Sequence, residues 1–158
     1  MSFSGNTILE DANGLESGEI FGSHVNNTDA FKTFESGLIK GRFAKYDTGS
    51  VDNMDGSATP TIIGVVARDL TSSLAKSTYD TTDDIANVHN FGYMTVDVVA
   101  SLTPTKYGVV YAENAGVNAG ADYGKATTLN TGNVLVADVD FWKEIKTNVW
   151  VVRFKKIA

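Results

Sequence analysis

Apolar residues recur with a period of two along much of this chain. From Tyr93 to Ala100, Met94, Val96, Val98 and Ala100 fall on one side, with Tyr93, Thr95 and Asp97 on the other. That is the alternation of a half-buried strand. Asn148–Lys155 repeats it, with Trp150, Val152 and Phe154 on one face and Val149, Val151, Arg153 and Lys155 on the other. Pro104 precedes a further strand at Thr105–Ala112, where Tyr107, Val109 and Tyr111 share a face. Asn133–Asp138 is apolar on both faces, and Val139–Lys146 reads as a short turn or strand.

Upstream the pattern is less regular. Leu38–Tyr46 sets Ile39 and Phe43 against Lys40 and Arg42, and Thr61–Asp69 is a β-branched run with Gly64 near its centre. A glycine there predicts a bulge or a close backbone approach. Between these runs lie polar stretches rich in turn formers. They are Asp47–Thr59 (closed by Pro60), Leu70–Asn90 and Asn114–Thr131. Within the second, Asp84–Val88 suits one short strand or helical turn. A single short helix is expected at Thr28–Ser36, capped by Thr28 or Asp29, with Phe31 and Phe34 three apart. No segment carries a twelve-residue helical pattern, and helices do not alternate with strands, which counts against a doubly wound sheet. The expected fold is all-β: a small antiparallel barrel or sandwich with long polar loops. Strand order does not follow from these spacings.

Residues 1–30 stand apart as a glycine-rich acidic arm. They hold Glu10, Asp11, Glu16, Glu19 and Asp29 with no lysine or arginine, and glycines at 5, 14, 18 and 22. Such a segment has little to pack and suits an extended arm ordered against a neighbouring subunit. Its Gly14, Gly18, Gly22 spacing lacks the apolar helix that a membrane reading requires. Residues 31–158 form the expected β-rich body. A chain of 158 residues favours one domain and buries about two thirds of its unfolded surface.

Charge and composition narrow the function. Thirteen basic against nineteen acidic residues give a net charge of −6, which argues against a general nucleic-acid binder. There is no cysteine, so disulfides, thiolate nucleophiles and cysteine-based metal sites are excluded. No run of about twenty apolar residues suits a membrane span. The first residues have neither the basic nor the long apolar region of a secretory signal. Without a secretory context, Asn26-Asn27-Thr28 reads as a chance glycosylation match.

The search for catalytic chemistry finds little. Neither GxGxxG nor GxxxxGK[ST] occurs, and no GxSxG elbow accompanies the two histidines, His24 and His89. Both read as ordinary loop or structural residues. Asp52, Asn53, Asp55 and Gly56 resemble a calcium loop, but the register set by Gly56 puts Val51 and Ile62 where oxygen donors are required. A turn between strands is the better account. Asp80, Asp83 and Asp84 near His89 read as a solvated cluster, and no catalytic residue, cofactor or metal ligand is assigned. Basic and aromatic residues interleave at Lys40–Tyr46 and Trp150–Lys156. Alternation explains both more simply than a single-strand nucleic-acid surface does. The basic C-terminal run is complementary to the acidic arm of a neighbouring copy.

With its strands laid out, the chain resembles small phage and prophage capsid decoration, or structural cement, proteins. The resemblance rests on SGLIKGRFAKYDTG, ATPTIIGVVARDL, FGYMTVDVVA, TKYGVVYA and VLVADVDFWKEIKTNVWVVRFKK, which cover most of residues 37–156. It implies a small β-barrel or tulip-like body with architectural roles for Gly41, Pro60, Gly64 and Gly108. It further implies attachment to the outside of an icosahedral head, the major capsid protein as partner, and a homo-oligomer, dimer or trimer. Neither nucleic acid nor membrane is an expected partner, and catalysis is not expected. Candidate contact residues are Phe31, Phe34, Lys40, Arg42, Trp142 and Trp150, although Trp150 equally suits the core. Alternatives are a head-fibre base or tail-associated β module, a carbohydrate-binding β module, and an enzyme whose constellation the spacing hides.

Overall fold

The computed structural model describes residues 17–20, 27–33, 37–67, 78–79 and 85–155. Among these residues eleven strands run in chain order: β1 (Asn27–Thr33), β2 (Leu38–Ile39), β3 (Phe43–Asp47), β4 (Ser50–Asn53), β5 (Thr61–Val66), β6 (Thr78–Tyr79), β7 (Ile85–Asp97), β8 (Val109–Ala112), β9 (Ala126–Thr127), β10 (Val134–Lys146) and β11 (Val149–Phe154). Nine form one sheet in the order β1-β4-β3-β5-β7-β11-β10-β8-β9, and β2 pairs with β6. Strand β1 bonds β4 in parallel and β7 antiparallel. Five strands therefore close on themselves, and the sheet curls into a half-barrel.

Strand β7 is shared by both parts. Its first half pairs with β1 along one edge and with β5 at Val65↔His89 and Val66↔Val88 along the other. Its second half pairs with β11. Ser17–Ile20 adds to the opposite edge, where Gly18 N–H donates to the Thr95 carbonyl at 2.9 Å and Ile20 bridges Met94. Gly41, at φ 79°, lies against the Ser17 backbone. A side chain at Gly41 would block that docking.

The alternation seen in the sequence sets the core. Met94 and Val96 of β7 and Val98 just after it meet Trp150, Val152 and Phe154 of β11, together with Phe43, Val65, Val110 and Phe141. Ala44, Val66, Val51, Ala86 and Val88 form a second cluster with Leu38. Phe43/Ala44 and Val65/Val66 are chain neighbours, so the two clusters occupy opposite faces of the ring strands. Removing Phe141 or Phe43 from water contributes roughly 2–3 kcal/mol each.

Two local expectations are met, at Gly64 and in the turn-rich stretch 47–59. Gly64, at φ 152°, sits where β3 pairing skips from Gly64 to Ile62, and its Cβ position is already filled by the His89 carbonyl. Thr48 and Gly49, both at positive φ, make the tight turn between β3 and β4. The turn-rich character of residues 47–59 is real, although Ser50–Asn53 is a strand inside it.

Other expectations are corrected. Where a helix was expected at Thr28–Ser36, Asn27–Thr33 is strand β1, because two strand edges, those of β4 and β7, supply its backbone partners. Among the described residues the only helical element is a 3-10 turn at Val117–Gly120. None of their helices is long and apolar enough to cross a membrane. The short element at Asp84–Val88 and the Tyr93 strand are one continuous thirteen-residue strand, β7, so His89 lies inside a strand rather than in a loop. Likewise Val139–Lys146 continues Val134 onward as β10. The strand expected from Thr105 starts at Val109.

Candidate functional site

Cross-strand register assembles one outer face of the open sheet. Tyr93 of β7 lies opposite Arg153 of β11, Arg153 opposite Asp140 of β10, and Asp140 opposite Val109 of β8. Tyr111, two residues after Val109, lies opposite Leu135. Directly paired residues share a face, so chemistry distant in sequence forms a single row.

An aromatic cluster sits on this row. Trp142 meets the rings of Tyr93 and Tyr107 edge-on, at centroid separations of 5.4 and 5.6 Å. Lys106 Nζ stands 4.1 Å from the Trp142 ring centroid, and the Arg153 guanidinium carbon 5.0 Å from it. These are cation–π distances. Arg153 forks onto Asp140, with Nη2–Oδ2 at 2.6 Å and Nε–Oδ1 at 3.1 Å. Lys155 Nζ approaches the same carboxylate at 3.6 Å. The hydrogen bonds that Arg153 donates to Asp140 push its guanidinium above its ordinary pKa, against a smaller opposing effect of burial. Two cations thus meet one carboxylate, with Lys106 over the adjacent rings, a positive spot on a chain of charge −6.

Tyr107 is the most exposed large apolar side chain described, at 58%, with Leu135 and Val109 also more than half exposed. Its backbone is left-handed, at φ 66°, a conformation that costs a non-glycine residue roughly 1–2 kcal/mol. Tyr107 N–H donates to the Phe141 carbonyl at 2.7 Å, and Gly108 N–H to the Thr105 carbonyl at 2.9 Å. Those bonds hold the ring out beside Trp142. Contiguous exposed apolar surface of this kind marks interaction faces. Leu135 also borders a groove of about 450 Å³ between β5 and β10, lined by Ile62, Ile63, Ala137, Val139 and Phe154.

Of the six contact residues expected from sequence, Trp142 lies on this face. Phe31 is in β1, and Phe34 lies outside the described residues. Lys40 and Trp150 are buried within the chain, Trp150 edge-on to Phe141 at 5.7 Å. Arg42 is used internally. Its Nη1 donates to the carbonyls of Ala121 and Tyr123 at 2.8 and 3.1 Å, and its Nε lies 3.8 Å from Asp97. Sequence reasoning left Tyr93, Lys106, Tyr107 and Arg153 off the contact list. The β7–β11–β10 register brings Tyr93 and Arg153 to Trp142, and the Tyr107–Phe141 backbone bond brings Lys106 and Tyr107; neither is visible in the spacings.

The other sequence candidates have structural occupations. Asp55 and Asp52 hold Lys45, with Nζ–Oδ2 distances of 2.6 and 3.8 Å. The Lys45 hydrogen bond pulls the Asp55 carboxyl down to about 2. His89 is fully buried, edge-on to Phe154 at 5.8 Å, and desolvation lowers its pKa to about 4. Among the described residues no group of three or more acidic, histidine or cysteine side chains is placed to hold a metal. His24, Asp80, Asp83 and Asp84 lie outside them.

Comparison with known proteins follows the same direction. Residues 6–154 match a family model described as XM1 gp53 minor capsid protein. Among solved structures, a chain from "The capsid of Myoviridae Phage XM1" is similar at 42% identity and a TM-score of 0.83. The match covers 91% of this chain and 92% of that one. No curated protein matches.

Proposed function

Starting from the fact that this chain belongs to the XM1 gp53 minor capsid protein family, we propose that it decorates the outer surface of a phage head. There it reinforces contacts between major capsid protein subunits. Family membership makes it a phage capsid-associated structural protein, with a structural rather than catalytic role.

The observation that carries the decoration reading is the exposed aromatic and cationic face around Trp142 and Tyr107. A cement protein acts by binding the assembled shell in preference to its parts, which stabilises the shell by mass action. A stable contact requires roughly 1,200–2,000 Å² of buried surface, and the sheet face supplies its apolar centre. The body, residues 31–158, bears this face. The acidic arm, residues 1–30, serves association between copies in a dimer or trimer. Neither nucleic acid nor membrane takes part.

The test is co-sedimentation of the full chain with mature heads lacking it, alongside unexpanded heads and tails. Saturable binding to mature heads, with greater resistance to heat or low salt, is the expected result. Binding to tails alone would replace this reading with a tail-associated module, and binding to no particle would refute both.

A further inference from the structure

We propose that the groove between β5 and β10 is the slot of a missing strand, filled on the phage head by an extended apolar segment of the shell that carries a lysine or arginine. Two strand edges meet there. Strand β5 pairs with β3 along one edge, but its pairing with β7 along the other covers only Val65 and Val66. Beyond Asn90, β7 pairs with β11 instead, from Gly92↔Phe154 onward. Among the described residues, Thr61–Ile63 therefore has no strand partner on its β7 side. Strand β10 pairs with β8 along one edge and with β11 along the other. The β11 ladder ends at Val139↔Phe154, and its last bond runs from Lys155 N–H to the Asp138 carbonyl at 2.8 Å. Val134–Ala137 thus has no described partner on its β11 side. Both free edges line the same groove of about 450 Å³.

Chemistry selects the occupant. An unpaired strand edge is a template for another strand, and an extended backbone is what satisfies two such edges at once. Val134–Ala137 spans about 13 Å at 3.3 Å per residue, so the slot takes roughly four residues. Ile62 on one wall and Val134 on the other are partly buried and pack against the main core, and Phe154 of that core lies between them in the lining. The core is open at this point, and apolar side chains at alternate positions of an inserted strand would cover it. Asp138 is the only charged residue in the lining, and it is exposed. A carboxylate there selects a cation at that end of the incoming segment. Among the described residues a second copy has no free apolar strand to lend, because β7 and β11 are each paired along both edges. The shell is the remaining source, and it lies close, since Leu135 belongs both to the groove and to the outer face assigned to the head. That source rests on the decoration reading above.

The experiment is amide hydrogen exchange of the full chain, free at two concentrations and bound to mature heads lacking it. At least one amide in 61–63 and one in 134–137 should exchange rapidly in the free chain and at least tenfold more slowly on heads. Asn tolerates the left-handed backbone of Asp138, at φ 58°. Asp138→Asn should therefore stay folded and weaken head binding by about threefold, the worth of one exposed ion pair. Saturable head binding without the slowed exchange would overturn the proposal and leave the decoration reading standing. Protection already present in the dilute free chain would overturn it in favour of an occupant from the same chain. Protection that grows with concentration, without heads, would do so in favour of a second copy. Asp138→Asn binding as tightly as wild type would overturn the basic residue of the occupant. Failure to bind heads at all would remove the decoration reading and the shell strand with it.

Discussion

His89 makes the chain acid-labile in a defined pH window. It is fully buried in β7 where β1 and β5 both pair, and desolvation lowers its pKa to about 4 from an ordinary 6.5. The native state therefore excludes a proton that the unfolded chain takes up once pH falls below 6.5. Stability is complete above that value and drains as pH falls toward 4. Linkage between the two pKa values gives a loss of about 2 kcal/mol from pH 7 to pH 5 and about 3 kcal/mol by pH 4. Asp55 adds nothing in this window, because its stabilisation is lost only below the ordinary aspartate range, toward pH 2. The assay is urea unfolding of wild type and His89→Gln at pH 7, 6 and 5. At ordinary slopes a 2 kcal/mol loss moves the wild-type midpoint by roughly 1 M. His89→Gln is expected to be less stable at pH 7 but markedly flatter with pH. Equal pH slopes in the two proteins would refute the reasoning, as would an NMR titration placing the His89 imidazole near 6.5.

Gly64→Ala should lower stability by about 2–4 kcal/mol, since its Cβ would collide with the His89 carbonyl and lie 2.9 Å from Val88 Cγ1. An unchanged thermal midpoint would contradict that packing. Tyr107→Gly relieves a left-handed backbone and should raise stability by up to about 1 kcal/mol. It should also weaken binding to heads, and a variant both more stable and fully binding would remove Tyr107 from the contact. Asp140→Asn breaks the fork to Arg153 and should cost about 1–2 kcal/mol, discounted for the partial exposure of that guanidinium. Denaturant unfolding at two salt concentrations checks it, with the smaller loss expected at high salt.

The strands of the open sheet were legible because each buries one face against a single core. Alternation at Met94, Val96, Val98 and at Trp150, Val152, Phe154 carries that information residue by residue. Gly64 was legible for a related reason: only a missing side chain permits the approach of the His89 carbonyl. By contrast, β1 and the first half of β7 read as helix and loop. Their backbones are fixed by partners on other strands, and Thr28, Asp29, Asn87 and Asn90 carry no apolar alternation to announce a strand. Local propensity loses there to pairing supplied by tertiary structure.

The candidate face divides along the same line. Trp142 was among the expected contact residues, whereas Tyr93 and Arg153 join it only through register and Lys106 and Tyr107 through the loop bonded to Phe141. Trp150 and Lys40 carry the same kinds of side chain and lie buried in the chain. Residue type and period thus determined the fold class and the inward faces of the strands, because burial alternates along a strand whatever its neighbours. Which strands pair, how the ring closes through β1, and which aromatics reach solvent together were decided only in three dimensions. Hydrogen bonds between strands carry no side-chain signature, and one residue of slip in β11 would have put Trp150 outside and Arg153 in the core.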